Sequence, residues 1–417
     1  MNIDIKENYI YQLDSKLLAI LLLDKSSGRN IIWATDIYAT RGEGYQSSDE
    51  ITIKRITHRN GSVIKPRTTK SKKEQVIRIR DKAEVFTPSW VCNNQNNLVD
   101  SAWFGRENVF NTEAGQTWIT TKEKIVFPQE KTWQDYVRAN RMEISCGEAP
   151  YLASRYDTVT GKWIEVKDRI VFLDRKIRVI NENVDNELEW VNWVTKAFQS
   201  VYGFEWQGDS LLIARENLLF SFIDYYVDRF TVYPINEYLI KIAKILSWNL
   251  WQMDGLKYVI PQSCQPVDTN QLSLFDEDTK KVPCPGCQKN DHHLHTGTYC
   301  RIMDWSHKHS LRFIDDEDIS NWAKLHKSAF YPLTKEIQEK TTAILKEYPT
   351  LIQIKSSGNS NGDPFLIATA ILSNGCIVTD EKPGDTRNSN NYRIPNVCVA
   401  MKIPYINLRE FMDRILD

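Results

Sequence analysis

Three times in this chain an apolar run ends in an acidic residue and a loop, with helix-like stretches between. The first passage is Glu143-Ile-Ser-Cys-Gly-Glu-Ala-Pro-Tyr151, with Gly147 at its turn. The second, Val201–Trp206, ends in Glu205, and the third, Ile245–Leu256, ends near Asp254. The stretches between them carry apolar residues at helical spacing over Glu187–Val201, Asp209–Phe222 and Asn236–Ile245. Strands joined through helices run parallel, so the pattern predicts an α/β fold. In such a sheet, loops at the carboxyl ends of the strands present backbone N–H groups to small molecules. An acid at the tip of the second strand is placed to accept from ribose hydroxyls.

The rest of the composition limits what surrounds this unit. With 417 residues there is room for more than one domain, and 53 basic against 54 acidic residues create no global field for a nucleic acid. Any such contact has to be local. Lys54, Arg55, His58, Arg59, Lys65, Arg67, Lys70, Lys72 and Lys73 are either a phosphate-contacting patch or a solvated surface. Short apolar runs broken by turn residues over 1–80 read as a strand-rich N-terminal region. The opening residues lack the basic-then-apolar order of a signal peptide, and Leu17–Leu23 is too short to span a bilayer. The expectation is a soluble, cytoplasmic protein with no membrane association, whose eight cysteines serve metal binding or packing.

Residues 261–283 are polar and read as a linker, followed by Cys284-Pro-Gly-Cys287, His292, His293, His295 and Cys300. A Cys-x-x-Cys pair with a nearby His and Cys supplies four ligands for tetrahedral zinc, a closed and therefore structural site. Cys284, Cys287, His295 and Cys300 are the predicted ligands, with His292 as the rival to His295. Upstream, Thr87-Pro88 reads as a helix start, Thr87 capping and Pro88 at the first position.

Taken in order, four of these pieces resemble the amino-methyltransferases of restriction-modification systems. Glu84–Pro88 resembles their Phe-Thr-Pro motif, and Glu143–Tyr151 resembles their glycine loop, with Glu148 and Pro150 departing from the usual Thr-Gly. Tyr202–Leu218 and Asn249–Leu256 resemble their second and third motifs. The resemblance covers about residues 1–312 and implies a Rossmann-like S-adenosylmethionine-dependent methyltransferase core over 81–260. It implies that Phe86, Thr87 and Pro88 pack the methionine end of the cofactor, and that Glu143, Cys146, Gly147 and Glu148 line its groove. Glu205 would hold the ribose and Asp254 the adenine. The family methylates adenine N6 in double-stranded DNA through an Asn/Asp-Pro-Pro-Tyr/Phe loop that grips a flipped base. No Pro-Pro pair occurs in this chain. The expectation is a cofactor-binding subunit that depends on a partner for the catalytic half.

After the linker and zinc knuckle of 261–312, the final part, 313–417, resembles the carboxyl-terminal part of a PIN-like nuclease domain. Its pieces are Asp363-Pro-Phe-Leu-Ile-Ala, Val378-Thr-Asp-Glu, Ile394-Pro-Asn-Val-Cys and Ile406-Asn-Leu-Arg-Glu-Phe. That family gathers carboxylates around Mg²⁺ or Mn²⁺ to activate water on a phosphodiester. Asp363 and Asp380, or Glu381, match its later acids, whereas its opening acidic strand is missing. Asp363 also reads as a plain helix cap and Asp380 as a solvated turn acid.

Overall fold

The structure, a computed structural model, describes residues 7–82, 84, 86–268, 281–315, 334–351, 363–379, 381–386, 392–407 and 410. The fold is mixed α/β, with helices and small sheets. The chain forms two compact units: Met1–Pro66 with Ser89–Leu325, and Arg67–Pro88 with His326–Asp417.

The first unit is built on a three-stranded parallel sheet of Arg141–Ile144, Val201–Glu205 and Leu250–Gln252, in that spatial order. The helices Phe172–Asn181 and Glu187–Gln199 make the first crossover, and Gly208–Phe230 with Asn236–Asn249 make the second. Every residue of the second and third strands is buried, as in parallel sheets covered on both faces. Alternation along the strands divides the two faces. Val201 and Leu250 join the large core with the helices, while Tyr202, Phe204 and Trp251 pack with Cys300, Ile302 and Phe313. The antiparallel hairpin of Arg301–Asp304 and His309–Arg312 lies in this second cluster's layer.

The N-terminal region corrects the expectation of strands. Among its described residues are the helices Glu7–Leu13, Ser15–Leu22, Ile53–Ile56 and Lys72–Lys82, and its only β-pairing is in isolated bridges. Leu17, Leu18, Leu21 and Leu22 fall on one helical face and are fully buried, and the Asp14 side chain caps that helix by accepting from the Lys16 N–H. Nor is the region's part up to Pro66 separate from the sheet unit. The Gln252 side chain donates to the Ile32 carbonyl and accepts from the Ile32 N–H, both at 2.9 Å. Arg215, fully buried, donates to the carbonyls of Leu21, Leu23, Ser247 and Leu250, tying two helix ends together. The boundaries expected at 80 and 260 are therefore not boundaries of the compact units. The zinc-knuckle segment also lies in the first unit.

Glu7 and Glu216 are both buried, and neither Glu216 oxygen has a hydrogen-bond partner. Burial raises the Glu7 carboxyl to about 8, and burial together with the Glu7 charge pushes Glu216 well up. Folded-state values raised above the unfolded value mean full stability below about 4.5 and a loss as pH climbs towards 8. Glu216→Gln is expected to raise the thermal midpoint at pH 8 and to leave it nearly unchanged at pH 4.5, in melts of both proteins across that range.

The second unit combines the helix Lys72–Lys82 with Lys335–Glu347, Asp363–Ser373 and Ile394–Met401, and with the parallel pair Ile377–Val378 and Tyr405–Ile406. Its core joins Ile337, Ile344, Ile367, Ile377 and Val397.

Candidate functional site

The carboxyl ends of the three parallel strands bring together most of the residues expected to hold a cofactor. The loop after the first strand is tightly wound: Ser145, Gly147 and Ala149 have φ of 50°, 53° and 62°. Only glycine takes that left-handed conformation without cost, and Ser and Ala each lose about 1–2 kcal/mol there. The Gly147 N–H donates to Glu205 Oε2 at 2.9 Å, and the Gln207 N–H donates to Oε1 at 3.1 Å. Glu205 thereby ties the tip of the second strand to the loop of the first. Glu143 accepts from the Tyr151 N–H at 3.2 Å. Burial, then the Glu205 charge, pushes its carboxyl well above the ordinary range.

Asp254 follows the third strand. Its carboxylate accepts from the Leu256 N–H at 3.0 Å and lies 3.4 Å from Lys257 Nζ, so it also closes its own turn. Cys146 and Glu148 are buried, and Glu148 accepts from the Tyr156 hydroxyl at 2.6 Å. Their side chains face the core, which leaves their backbone as the part available to the loop. Phe86, Thr87 and Pro88 belong to the second unit and not to the sheet, with the Arg67 guanidinium 5.4 Å from the Phe86 ring centroid. Trp206, 39% exposed beside Glu205, was missed in the sequence although it directly follows the tip acid.

One cluster that could hold a metal ion consists of Cys264, Cys284, Cys287 and His295, whose ligand atoms all lie within 4.8 Å of one another. His295 Nδ1 is 3.6 Å from Cys264 Sγ, 3.6 Å from Cys284 Sγ and 3.7 Å from Cys287 Sγ. Zn–S bonds of about 2.3 Å and Zn–N bonds of about 2.0–2.1 Å at tetrahedral angles separate sulfur from nitrogen by about 3.6 Å. The donor set could therefore hold a metal ion such as zinc. Cys300 is not in it: it is fully buried under the sheet with its thiol on the Gln252 carbonyl at 3.3 Å. Cys264 takes its place because the chain before the knuckle returns to it. The Thr296 hydroxyl donates to the Gln265 carbonyl at 2.7 Å, and the Gln265 N–H donates back at 3.0 Å.

The surroundings support the ligands. The Thr296 N–H donates to Cys284 Sγ at 3.2 Å. Burial opposes ionisation of Cys284, but the Thr296, Cys287 and His295 hydrogen bonds bring it down to about 5. Burial and the neighbouring Cys284 and Cys287 sulfurs push Cys264 up to about 12. Gly286 sits so close that a Cβ there would lie 2.6 Å from the His295 backbone nitrogen and 2.7 Å from its Nδ1. Asp304, His307 and His309 form a second cluster, but the Asp304 carboxylate there accepts from the Ser306 and His307 N–H groups and closes a hairpin turn.

In the second unit, Asp363 opens the helix Asp363–Ser373. Burial, then the Glu381 charge, raises its carboxyl to about 7. Glu381 also accepts from the Ile394 N–H at 3.1 Å. Asp380 lies outside the described residues. The basic run of 54–73 is not one patch. Arg67 and Lys70 are buried, and the Glu84 carboxylate stands 2.6 Å from Arg78 and 3.7 Å from Lys70.

Residues 306–415 match a family described as Domain of unknown function (DUF4411). No curated protein and no solved structure matches the chain. No helix among the described residues is long and apolar enough to cross a membrane.

Proposed function

We propose that the first unit binds S-adenosylmethionine as one subunit of a DNA-modification system that methylates adenine N6 in double-stranded DNA. A partner supplies the Asn/Asp-Pro-Pro-Tyr/Phe loop that this chain lacks. The observation that carries this reading is the meeting of the Gly147 loop and Glu205 at one edge of a parallel sheet, with Asp254 following the neighbouring strand. Ligands of open α/β sheets bind beyond the carboxyl ends of the strands. An ionised carboxylate accepts several hydrogen bonds at once, so a strand-tip Glu can brace a loop and also accept from ribose hydroxyls. The Trp206 ring beside it adds an aromatic surface for a purine. The zinc knuckle has a structural part in this reading.

Calorimetric titration with S-adenosylmethionine tests it. One molecule should bind per chain, and Glu205→Ala and Asp254→Ala should each weaken binding by roughly tenfold or more, the loss of a charge-assisted hydrogen bond. A wild-type chain that takes up no cofactor at millimolar concentration would overturn the reading. A second reading, a metal-dependent nuclease in the second unit, is favoured by the electrostatic coupling of Asp363 with Glu381. It calls for Mg²⁺- or Mn²⁺-dependent cleavage of nucleic acid that Asp363→Asn abolishes.

A further inference from the structure

A cleft of about 920 Å³ opens in the first unit over the first core strand and runs along it from Asn140 to Ile144. Its walls include Asn140, Arg141, Gln199 and Ser200, which open or precede the first two strands, so its polar end lies at their amino edge. The floor is apolar, formed by Met142 and Ile144 with the rings of Tyr202 and Trp305. Three cations stand at the walls: Arg138, Arg141 and Lys196.

These cations are poorly neutralised. Arg138 and Lys196 both stand over the Trp193 ring, at 4.9 and 4.0 Å from its centroid, and neither makes an ion pair among the described residues. Burial and the Arg138 charge lower the Lys196 pKa, as expected where positive charge is concentrated. Arg141 is 3.8 Å from Asp100, whose carboxylate is held more closely by Arg175 at 2.6 Å. The one carboxylate lining the cleft, Asp304, already accepts from the His307 ring at 2.7 Å and from two backbone N–H groups.

A cleft with three cations at one end, of which Arg138 and Lys196 make no ion pair among the described residues, and with aromatic and aliphatic side chains along it suits a ligand that is anionic at one end and flat and apolar at the other. Its volume lies within the roughly 300–1,000 Å³ typical of small-molecule sites. Grouped arginine and lysine side chains attract phosphate, and aromatic rings stack on bases whatever their identity. We infer that this cleft binds a nucleoside phosphate, with Arg138, Arg141 and Lys196 on the phosphate and Trp305 and Tyr202 against the base. A free nucleotide and one unit of a single strand share that chemistry. The cationic end of the site lies at the amino edge of the sheet, opposite the proposed cofactor loop, and its three cations take no part in that loop.

Two probes separate the sources: thymidine monophosphate, which lacks the adenosine of S-adenosylmethionine, and a fluorescently labelled oligothymidylate. Both are titrated into the full-length chain by calorimetry or anisotropy. Wild type is expected to bind at least one of them. Arg138→Gln with Lys196→Gln should weaken binding by roughly tenfold or more and flatten its salt dependence. Glu205→Ala should leave binding unchanged, which keeps the result separate from the cofactor reading. Mononucleotide binding that the strand does not surpass identifies a free nucleotide, and a tighter, salt-sensitive strand identifies single-stranded nucleic acid. Lys196→Met alone, at an unchanged melting temperature, guards against a folding defect and should still weaken binding. Failure of both probes, or unchanged affinity in these variants, overturns the inference.

Discussion

Purified protein should contain one zinc per chain, and Cys264→Ser should abolish it while Cys300→Ser leaves it in place. The contrast follows from where the two sulfurs stand. Cys264 Sγ is 3.6 Å from His295 Nδ1, in the donor set with Cys284 and Cys287, whereas Cys300 is packed under the sheet against the Gln252 carbonyl. Structural zinc contributes roughly 10–16 kcal/mol of apparent binding free energy in small zinc-finger peptides. Losing one thiolate should thus release the metal at ordinary chelator concentrations and loosen the region from Cys264 to Cys300. Replacing Cys300 removes only a buried thiol and should cost about 1 kcal/mol. Metal content by elemental analysis, with cobalt substitution to count thiolate ligands spectroscopically, distinguishes the sets. Retention of zinc by Cys264→Ser together with its loss in Cys300→Ser would restore the ligand set expected from local spacing.

Asp100→Ala is expected to destabilise the first unit by about 3–5 kcal/mol, because it strands a buried cation. The Arg175 guanidinium donates to Asp100 Oδ2 at 2.6 Å, and the Tyr136 hydroxyl lies 3.0 Å from both carboxylate oxygens. Both charged side chains are almost wholly buried, at 1% and 2% exposure. The other Arg175 nitrogens reach the side chains of Asn93 and Asn97 and the Ile170 carbonyl, so the guanidinium cannot turn towards water. Removing both charges together, as in Asp100→Leu with Arg175→Met, should be much less damaging than the single substitution. Urea unfolding of the single and double variants measures the difference. A double variant as unstable as Asp100→Ala would locate the effect in packing and not in the stranded charge.

Some of this architecture was legible in the sequence because its causes are local. Buried parallel strands read as apolar runs, so the second strand, expected over Val201–Trp206, stands at Val201–Glu205. The third was placed too early: its apolar approach, Ile245–Asn249, is the end of a helix, and the strand is only Leu250–Gln252. Short apolar runs do not distinguish a buried strand from a buried helix turn, which is also why the apolar runs of residues 1–80 suggest strands where the structure has helices such as Ser15–Leu22. The partners of the Glu148 and Asp254 carboxylates, the Tyr156 hydroxyl and the Leu256 N–H, were not legible for a related reason. Whether a carboxylate faces a groove, a Tyr hydroxyl or its own turn depends on neighbours that residue order does not reveal.

By itself the sequence determined the α/β alternation, the acid that ends the second strand, and the Cys-x-x-Cys pair of Cys284 and Cys287, while leaving His295 and His292 as rivals. Each depends on periodicity or on spacing within a few residues. Tertiary structure decided the fourth member of the cluster that could hold a metal, since Cys264 and Cys300 lie on opposite sides of the knuckle and the return of the chain selects between them. It also decided the partition of the chain, placing Arg67–Pro88 in one unit with a segment that begins at His326. The physical reason is the same in both cases. Contacts between residues far apart in the chain form where the packing of a whole core is best satisfied, and no local pattern encodes that choice.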